Sequence, residues 1–226
     1  MSEVRSALVW EKGSVGESPL TVTLQEVEVQ KKHLVLAIVC QGKDDGSCPQ
    51  LPAGYLCESM VGWFYNEVLP LCKRKPELPA QELEQMLKKQ WERAVRELQE
   101  YGKKRNCKVE VTISGILLWG SCFVAFGNRA VYVLNRRFNR PRKKNILPKG
   151  ESVTFQTGEV NSFLSFYLES EAMTEIMKEE EILESLYTET FMEERKLEKR
   201  LGELGKATLS RMQERSAGAI ILEVEP

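Results

Sequence analysis

The residues whose types and spacing carry the most chemistry lie in one run, Asn135–Gly150, NRRFNRPRKKNILPKG, with seven basic residues and no acid. Arginine forks match the oxygens of phosphates and carboxylates. Arg136, Arg137, Arg140, Arg142, Lys143 and Lys144 are therefore candidates for gripping a phosphoprotein or an acidic partner. The same run reads equally as a solvated loop between strands, balanced by acids elsewhere. Nucleic acid fits less well, because Phe138 is the only aromatic in the run and no known nucleic-acid module is visible. Histidine chemistry rests on His33 alone. A Ser-His-Asp or Cys-His site would have to use it, yet QKKHLVLAIV places it at the entry to a strand, where an exposed strand-end residue is the simpler reading. The six cysteines, Cys40, Cys48, Cys57, Cys72, Cys107 and Cys122, form no C-x-x-C pair. They read as reduced, structural thiols rather than zinc ligands.

The elements that must position these residues show in the periodicity. The strand TVTLQEVEV, within Leu20–Val29, alternates, as a half-buried strand does, and HLVLAIVC (His33–Cys40) is continuously apolar, as a central strand is. Ala7–Glu11 is a further strand, with Trp10 expected in the core. From Ala53 the pattern turns helical until Pro70 closes or kinks it. Leu83, Leu87, Trp91, Val95 and Leu98 then mark one face of a long helix ending near Tyr101-Gly102. Strands follow over Lys108–Ile113, in the hairpin from Ile116 to Arg137, and over Glu151–Thr157 and Ser162–Leu168. Met173 to about Gln213 reads as charged helix with breaks at Gly202 and Gly205. Ile182, Leu183, Leu186, Phe191 and Leu197 lie on its buried side, and a last strand AGAIILEVE closes the order. Strands and helices come in blocks, which argues α+β.

A length of 226 residues suits one domain or two small ones, and 42% hydrophobic with 29% charged residues fits a chain with a real core. A net charge of -1 gives no global field toward nucleic acid or membrane. There is no apolar run long enough to span a bilayer and no signal-peptide core in MSEVRSALVWEKG, so a cytoplasmic location is expected.

Five phrases, in order along nearly the whole chain, resemble the metal-dependent serine/threonine protein phosphatases of type 2C, the PPM family. LVLAIVCQG (Leu34–Gly42) is similar to the strand ending V-A-D-G. PAGYLCESMVGWF (Pro52–Phe64) is similar to the helix start E-A-G-E-L-A-S. VTISGILLWGSCFVAFGNRAVYVL (Val111–Leu134) resembles T-x-S-G-x-x-L followed by V-G-D-S-R-x-Y-x-L. FYLESEAMTEIM (Phe166–Met177) resembles L-L-x-S-D-G-L-T-E-M, and RSAGAIILEVE (Arg215–Glu225) resembles S-D-N-x-T-x-I-L-V-E. The resemblance implies a single domain over 1–226. Its fold would be a four-layer α/β/β/α sandwich, two antiparallel sheets face to face with helices on both outer faces.

It also implies a chemistry that this chain departs from. The family activates a bridging water with two divalent metals, and hard cations need several carboxylates around them. The aligned positions here are Gln41, Asn128, Glu171 and Ser216, of which Glu171 alone is an acid. No N-E-D occurs in KGSVGESPLTV, and the family's phosphate-binding arginine falls near Gly16. Asp45-Gly46 offers a substitute D-G close to the family spacing, although Asp-Asp-Gly in such a loop is also ordinary turn chemistry. The expectation is a degenerate phosphatase-like domain, a pseudophosphatase without a cofactor, that binds a protein: a phosphorylated one or a kinase. The alternative is an active Mn- or Mg-dependent phosphatase with a rebuilt site on Asp45 and Glu171.

Overall fold

In a computed structural model of the chain, residues 3–14, 20–44, 51–107, 109–137, 140–148 and 150–226 are described. Among the described residues, ten strands form two five-stranded antiparallel sheets. The first has the order β1 (Glu3–Glu11), β10 (Ala217–Glu225), β9 (Leu164–Glu169), β6 (Tyr132–Arg137), β7 (Arg140–Asn145). The second has the order β2 (Leu20–Val29), β3 (Lys32–Asp44), β4 (Val109–Trp119), β5 (Cys122–Gly127), β8 (Thr154–Glu159).

The continuous apolar strands are explained by what covers each face. In β3, Leu34, Leu36, Ile38 and Cys40 pack against the helices α1 (Leu51–Trp63) and α3 (Ala80–Arg105). The intervening Val35, Ala37 and Val39 point the other way, into the core between the sheets. In β10, Ile220, Leu222 and Val224 share that central core. Ala217, Ala219 and Ile221 face the helices α4 (Glu171–Ile176), α5 (Glu179–Leu186) and α6 (Glu194–Arg211). Side chains alternate across a strand, so a strand covered twice must be apolar at every position. Three cores thus separate four layers, the α/β/β/α sandwich that the resemblance implies.

Several local readings change. The helix does not stop at Pro70. A π-helical turn, Phe64–Val68, leads into α2 (Leu69–Arg74), with the Leu69 N–H donating to the Phe64 carbonyl. Widening the ladder by one residue where proline has no N–H to give lets the helix run on. In α3 the buried stripe is Leu83, Leu87, Gln90, Ala94 and Leu98, while Trp91 and Val95 are half-buried on its flank. Gln90 is accommodated because its amide donates to the Ser59 carbonyl and hydroxyl at 3.3 and 3.0 Å. Trp10 is 47% exposed, on β1 at the edge of its sheet. His33 is half-buried, with Nδ1 3.0 Å from Glu26 Oε1. Cys40, Cys57, Cys72, Cys107 and Cys122 are free thiols, and Cys48 lies outside the described residues.

Gly202 and Gly205 do not break the last helix. A Cβ at Gly205 would lie 2.8 Å from Val9 Cγ2, so glycine there lets α6 press against β1. The helical run breaks instead at residues 177–178, between α4 and α5, and over residues 187–193, between α5 and α6; at the second break a side chain of the sheet intervenes. The cause is Glu223, buried in β10: its carboxylate accepts the Met192 N–H at 2.8 Å and the Thr188 hydroxyl at 3.2 Å. Arg5 donates to the Met192 carbonyl at 2.9 Å. Both backbone polar groups of one residue, Met192, are thus held by side chains of the sheet.

The ends of α5 and α6 are joined by Arg211, which donates to both Glu181 oxygens at 2.6 and 3.0 Å. Arg211, and then the Lys178 N–H, hold the Glu181 carboxyl down from 4.5 to about 2. A depressed carboxylate stabilises the fold above its unfolded value and loses that contribution as pH falls through the folded one. Urea unfolding of wild type and Arg211→Gln should therefore show a stability difference at neutral pH that shrinks between pH 4.5 and about 2. A difference independent of pH would remove this ion pair from the account.

Candidate functional site

One end of the sandwich gathers the aligned positions. Gln41 ends the apolar part of β3, half-buried, paired with Thr112 of β4 and Leu20 of β2. The turn after β5 brings Gly127, Asn128 and Arg129, and the start of α4 brings Ser170 and Glu171. A narrow crevice is lined by Val39, Gln41, Ser114, Arg129, Ser170 and Glu171 among others, so Gln41 and Glu171 do converge. Asp45 lies outside the described residues.

Asn128 is at this end but is occupied by the backbone. Its Oδ1 accepts the Ile113 N–H at 2.8 Å and its Nδ2 donates to the Val111 carbonyl at 3.0 Å. The N–H groups of Asn128 and Arg129 both donate to the Ile113 carbonyl. The side-chain amide therefore continues the ladder along β4 where β5 has turned away. An aspartate could not donate to Val111, and its second oxygen would face a carbonyl. The same turn requires glycine at 127: φ is +149°, and a Cβ would meet the Ile113 oxygen at 2.2 Å.

Ser216 is likewise engaged, its Oγ accepting the Gly13 N–H at 3.0 Å. Ser170 ties α4 to β10, donating its N–H to the Gly218 carbonyl and accepting the Gly218 N–H on Oγ. Glu171, the one acid of the aligned set, is held between two guanidinium groups. Arg129 Nη2 donates to Oε1 at 2.6 Å and Arg215 Nη2 to Oε2 at 3.2 Å. Arg215 also donates to Glu175 at 2.7 Å. The cluster holds two arginines against two glutamates, with charge already balanced.

Such a donor set does not fit a pair of hard divalent cations. Two amides, a hydroxyl and a carboxylate bridged by arginines offer too little negative charge. Among the described residues no three His, Cys, Asp or Glu side chains are grouped to hold a metal.

Beside the crevice opens a cavity of about 580 Å³, lined by Arg129, Tyr132, Lys143, Asn145, Glu169 and Glu171 among others. At its floor Lys143 donates to Glu169 Oε1, with 10% and 1% of the two side chains exposed. The ammonium also lies 4.1 Å from the centre of the Tyr132 ring and 5.5 Å from that of Tyr167. Burial raises the Glu169 carboxyl above its ordinary range, against the opposing pull of Lys143. Burial, then the carboxylates of Glu169 and Glu179, push the Tyr132 phenol up to about 12. Glu169 was not singled out from sequence, although an acid inside the apolar run FYLES is a signal that a buried cation must answer it.

The basic run is mostly strand, not loop. Arg140, Arg142 and Lys144 are exposed on β7, and Lys143 points to the opposite side, into the cavity. Arg136 and Arg137 lie in β6, opposite Pro141 and Arg140, and their side chains are outside the described residues. β7 is an edge strand, and edges invite pairing by other chains. Here Pro141 has no N–H to offer, and the Lys143 N–H is taken by Glu179 at 3.1 Å. Proline, charge and a capping carboxylate close this edge to strand addition.

Compared with protein-family models and with curated proteins, the sequence matches none. Solved structures do match. The catalytic domain of the serine/threonine protein phosphatase PstP in complex with two manganese ions aligns over 100% of both chains at 12% identity and TM-score 0.75. Serine/threonine phosphatase Stp1 from Staphylococcus aureus aligns over 99% of this chain and 96% of its own, at 13% identity and TM-score 0.72. A bacterial serine phosphatase aligns over 98% of each, at 13% and 0.72. The chain therefore has the fold of these phosphatases.

The buried pair gives a stability test. Lys143→Gln alone strands the Glu169 carboxylate and should cost about 3–5 kcal/mol in denaturant unfolding. Lys143→Gln combined with Glu169→Gln should recover most of that loss. Equal stability of the single variant and wild type would show that the pair is not coupled.

Proposed function

We propose that this phosphatase-fold domain acts without hydrolysis, as a pseudophosphatase that binds a protein in serine/threonine phosphorylation signalling in the cytoplasm. The observation that carries this reading is Glu171 between Arg129 and Arg215. At the place where the resemblance implies metal ligands, fixed guanidinium charges already satisfy the acid that remains. Asn128 and Ser216 support the same reading, since their side chains serve the backbone. Among the described residues no helix is long and apolar enough to cross a membrane.

The partner, a phosphorylated protein or a kinase, would meet the exposed arginines. Arg140, Arg142 and Lys144 share one side of β7. Residues alternate sides along a strand, so successive members of these three stand about 6.8 Å apart. That spacing suits oxyanions presented along an extended segment. Arg136 and Arg137 on the neighbouring strand join them as candidates. Because the edge resists strand pairing, recognition would run through side chains.

The competing reading is the manganese- or magnesium-dependent phosphatase using Asp45 and Glu171, favoured by the PstP structure with its two manganese ions. Calorimetry with Mn²⁺ and Mg²⁺, alongside turnover of a chromogenic phosphate ester, separates the two. The expected result is no stoichiometric binding of two ions and no metal-dependent turnover. Tight binding of two ions, with turnover abolished by Glu171→Ala, would establish the enzyme instead. For the binding role, charge reversal at Arg136, Arg137 and Arg142 should reduce capture of a phosphorylated partner by at least tenfold. Unchanged capture would remove the basic hairpin from the proposal.

A further inference from the structure

β1 is the edge strand of the first sheet on the side away from β7, and the direction of its backbone groups follows from its neighbour. Gly218 of β10 spends both polar groups on Ser170: its N–H donates to Oγ, and its carbonyl accepts the Ser170 N–H. Gly218 lies opposite Trp10. This pair therefore exchanges no ladder hydrogen bonds, and the Trp10 N–H and carbonyl point away from β10. Hydrogen-bonded and non-hydrogen-bonded pairs alternate in an antiparallel ladder, so the groups of Val4, Ser6 and Leu8 point outward as well. Among the described residues these outward groups meet no hydrogen-bond partner. Unlike β7, β1 holds no proline.

The side chains of the same four residues lie on the strand face toward the central core. Val4 is buried there, and Ser6 donates to Glu26 of β2 at 3.0 Å. Leu8 and Trp10 stay 46% and 47% exposed. A long, unpaired edge with two large exposed apolar side chains is a template for another strand. On the other face, α6 covers Val9, and Arg5 and Glu11 stand to either side, half-buried.

The sequence of β1 fits a second β1. Outward groups must meet outward groups, so a twofold axis between two antiparallel copies has to pass through a residue. An axis at Ala7 sets Glu3 against Glu11 of the second copy, a like-charge pair. An axis at Val9 opposes no unlike charges, and one at Ser6 leaves Trp10 beyond the paired span. An axis at Leu8 sets Leu8 on Leu8, Trp10 opposite Ser6, and Arg5 opposite Glu11 twice. The Arg5–Glu11 pairs fall at non-hydrogen-bonded positions, where side chains approach most closely. Arg5 donates to the Met192 carbonyl and to Glu3, and a guanidinium has five donors.

We propose that two copies of this chain associate through β1, paired antiparallel about a twofold axis at Leu8, so that their first sheets join into one. Ser6, Leu8 and Trp10 of both copies then make about six ladder hydrogen bonds, and the exposed leucine and tryptophan cover one another across the axis. The basic face of β7, at the far edge of the sheet, stays free in such a dimer.

Sedimentation equilibrium of the full chain, from about 1 µM to about 1 mM, tests this. A monomer–dimer equilibrium is expected. Leu8→Lys should raise its dissociation constant at least tenfold, because two ammonium groups then meet at the axis. Glu11→Arg, which sets two arginines opposite each other, should raise it at least threefold. A hydrogen-bonded pair has Cα atoms about 5.5 Å apart, within the span of a disulfide. Oxidised glutathione should therefore convert the Leu8→Cys variant into a cross-linked dimer on a non-reducing gel. Ser6→Cys, whose two copies stand four residues apart in this register, should not cross-link. The cross-linking arm keeps the test decisive if the lysine variant does not fold. A monomer throughout the concentration range would overturn the proposal. So would a dimer unmoved by Leu8→Lys and Glu11→Arg, or cross-linking at Ser6→Cys in place of Leu8→Cys.

Discussion

The constraint on which the rest of the structure depends is that both sheets are covered on both faces. A strand buried twice has no position for a polar side chain unless a partner is waiting for it. β3 and β10 meet the condition with aliphatic residues throughout their centres. Several polar groups that do intrude are answered by another, although the hydroxyls of Ser114 and Ser165 are buried without a hydrogen-bond partner among the described residues. Glu223 receives the Met192 N–H, Glu169 receives Lys143, and Gln90 reaches Ser59. Burial of the aliphatic set supplies the main driving force, at about 25 cal/mol per Å² of apolar surface. The polar answers decide which connections and strands may lie where.

The end of the sandwich follows the same rule under different charge. An acid at the start of α4, close to the turn after β5 and to the start of β10, needs positive charge nearby. Arg129 and Arg215 provide it from those two elements, so the cluster joins three separate pieces of chain. Each pair is partly exposed and would contribute little alone, within about 1 kcal/mol. Linked through shared partners, they fix the relative placement of α4, the β5–β6 turn and the entry to β10. Asn128 performs the neighbouring task by hydrogen bonding alone. The glycine before it is kept because the backbone turns against Ile113, a demand of the fold that persists whatever chemistry the site performs.

The α+β class was legible in local patterns, unbroken apolar strands, amphipathic helices and their order, whereas the four-layer sandwich was legible only through the phrases that resemble the type 2C phosphatases. The positions Gln41, Asn128, Glu171 and Ser216 were legible through the phrases around them. What each does there was not, since it rests on partners distant in sequence: Asn128 on Val111 and Ile113, Ser216 on Gly13, Glu171 on Arg129 and Arg215. The Lys143–Glu169 pair was hidden for the same reason, as β7 reaches β9 only across β6. Trp10 reads as core from hydrophobicity, and only the strand order reveals that it sits on an edge. The glycines in α6 look like helix breakers until Val9 is found against one of them. The longer of the two interruptions, over residues 187–193, carries no breaker and is imposed by Glu223 from the sheet below.

The pairing of β1 with β10 over nine residue positions joins the first strand to the last. The second sheet is mostly built from strands consecutive in sequence, β2 to β5, of which β2–β3 and β4–β5 close over tight turns while β3–β4 closes over the helices α1 to α3. The first sheet cannot be completed until β10 has left the ribosome, because β10 is the strand on which both β1 and β9 pair. During synthesis at about 5–20 residues per second, the chain would therefore hold a half-formed sandwich for several seconds, with the inner face of the second sheet uncovered. Assembly of this domain is ordered from one layer to the other, and the interval before β10 arrives is when it is most exposed to capture by chaperones.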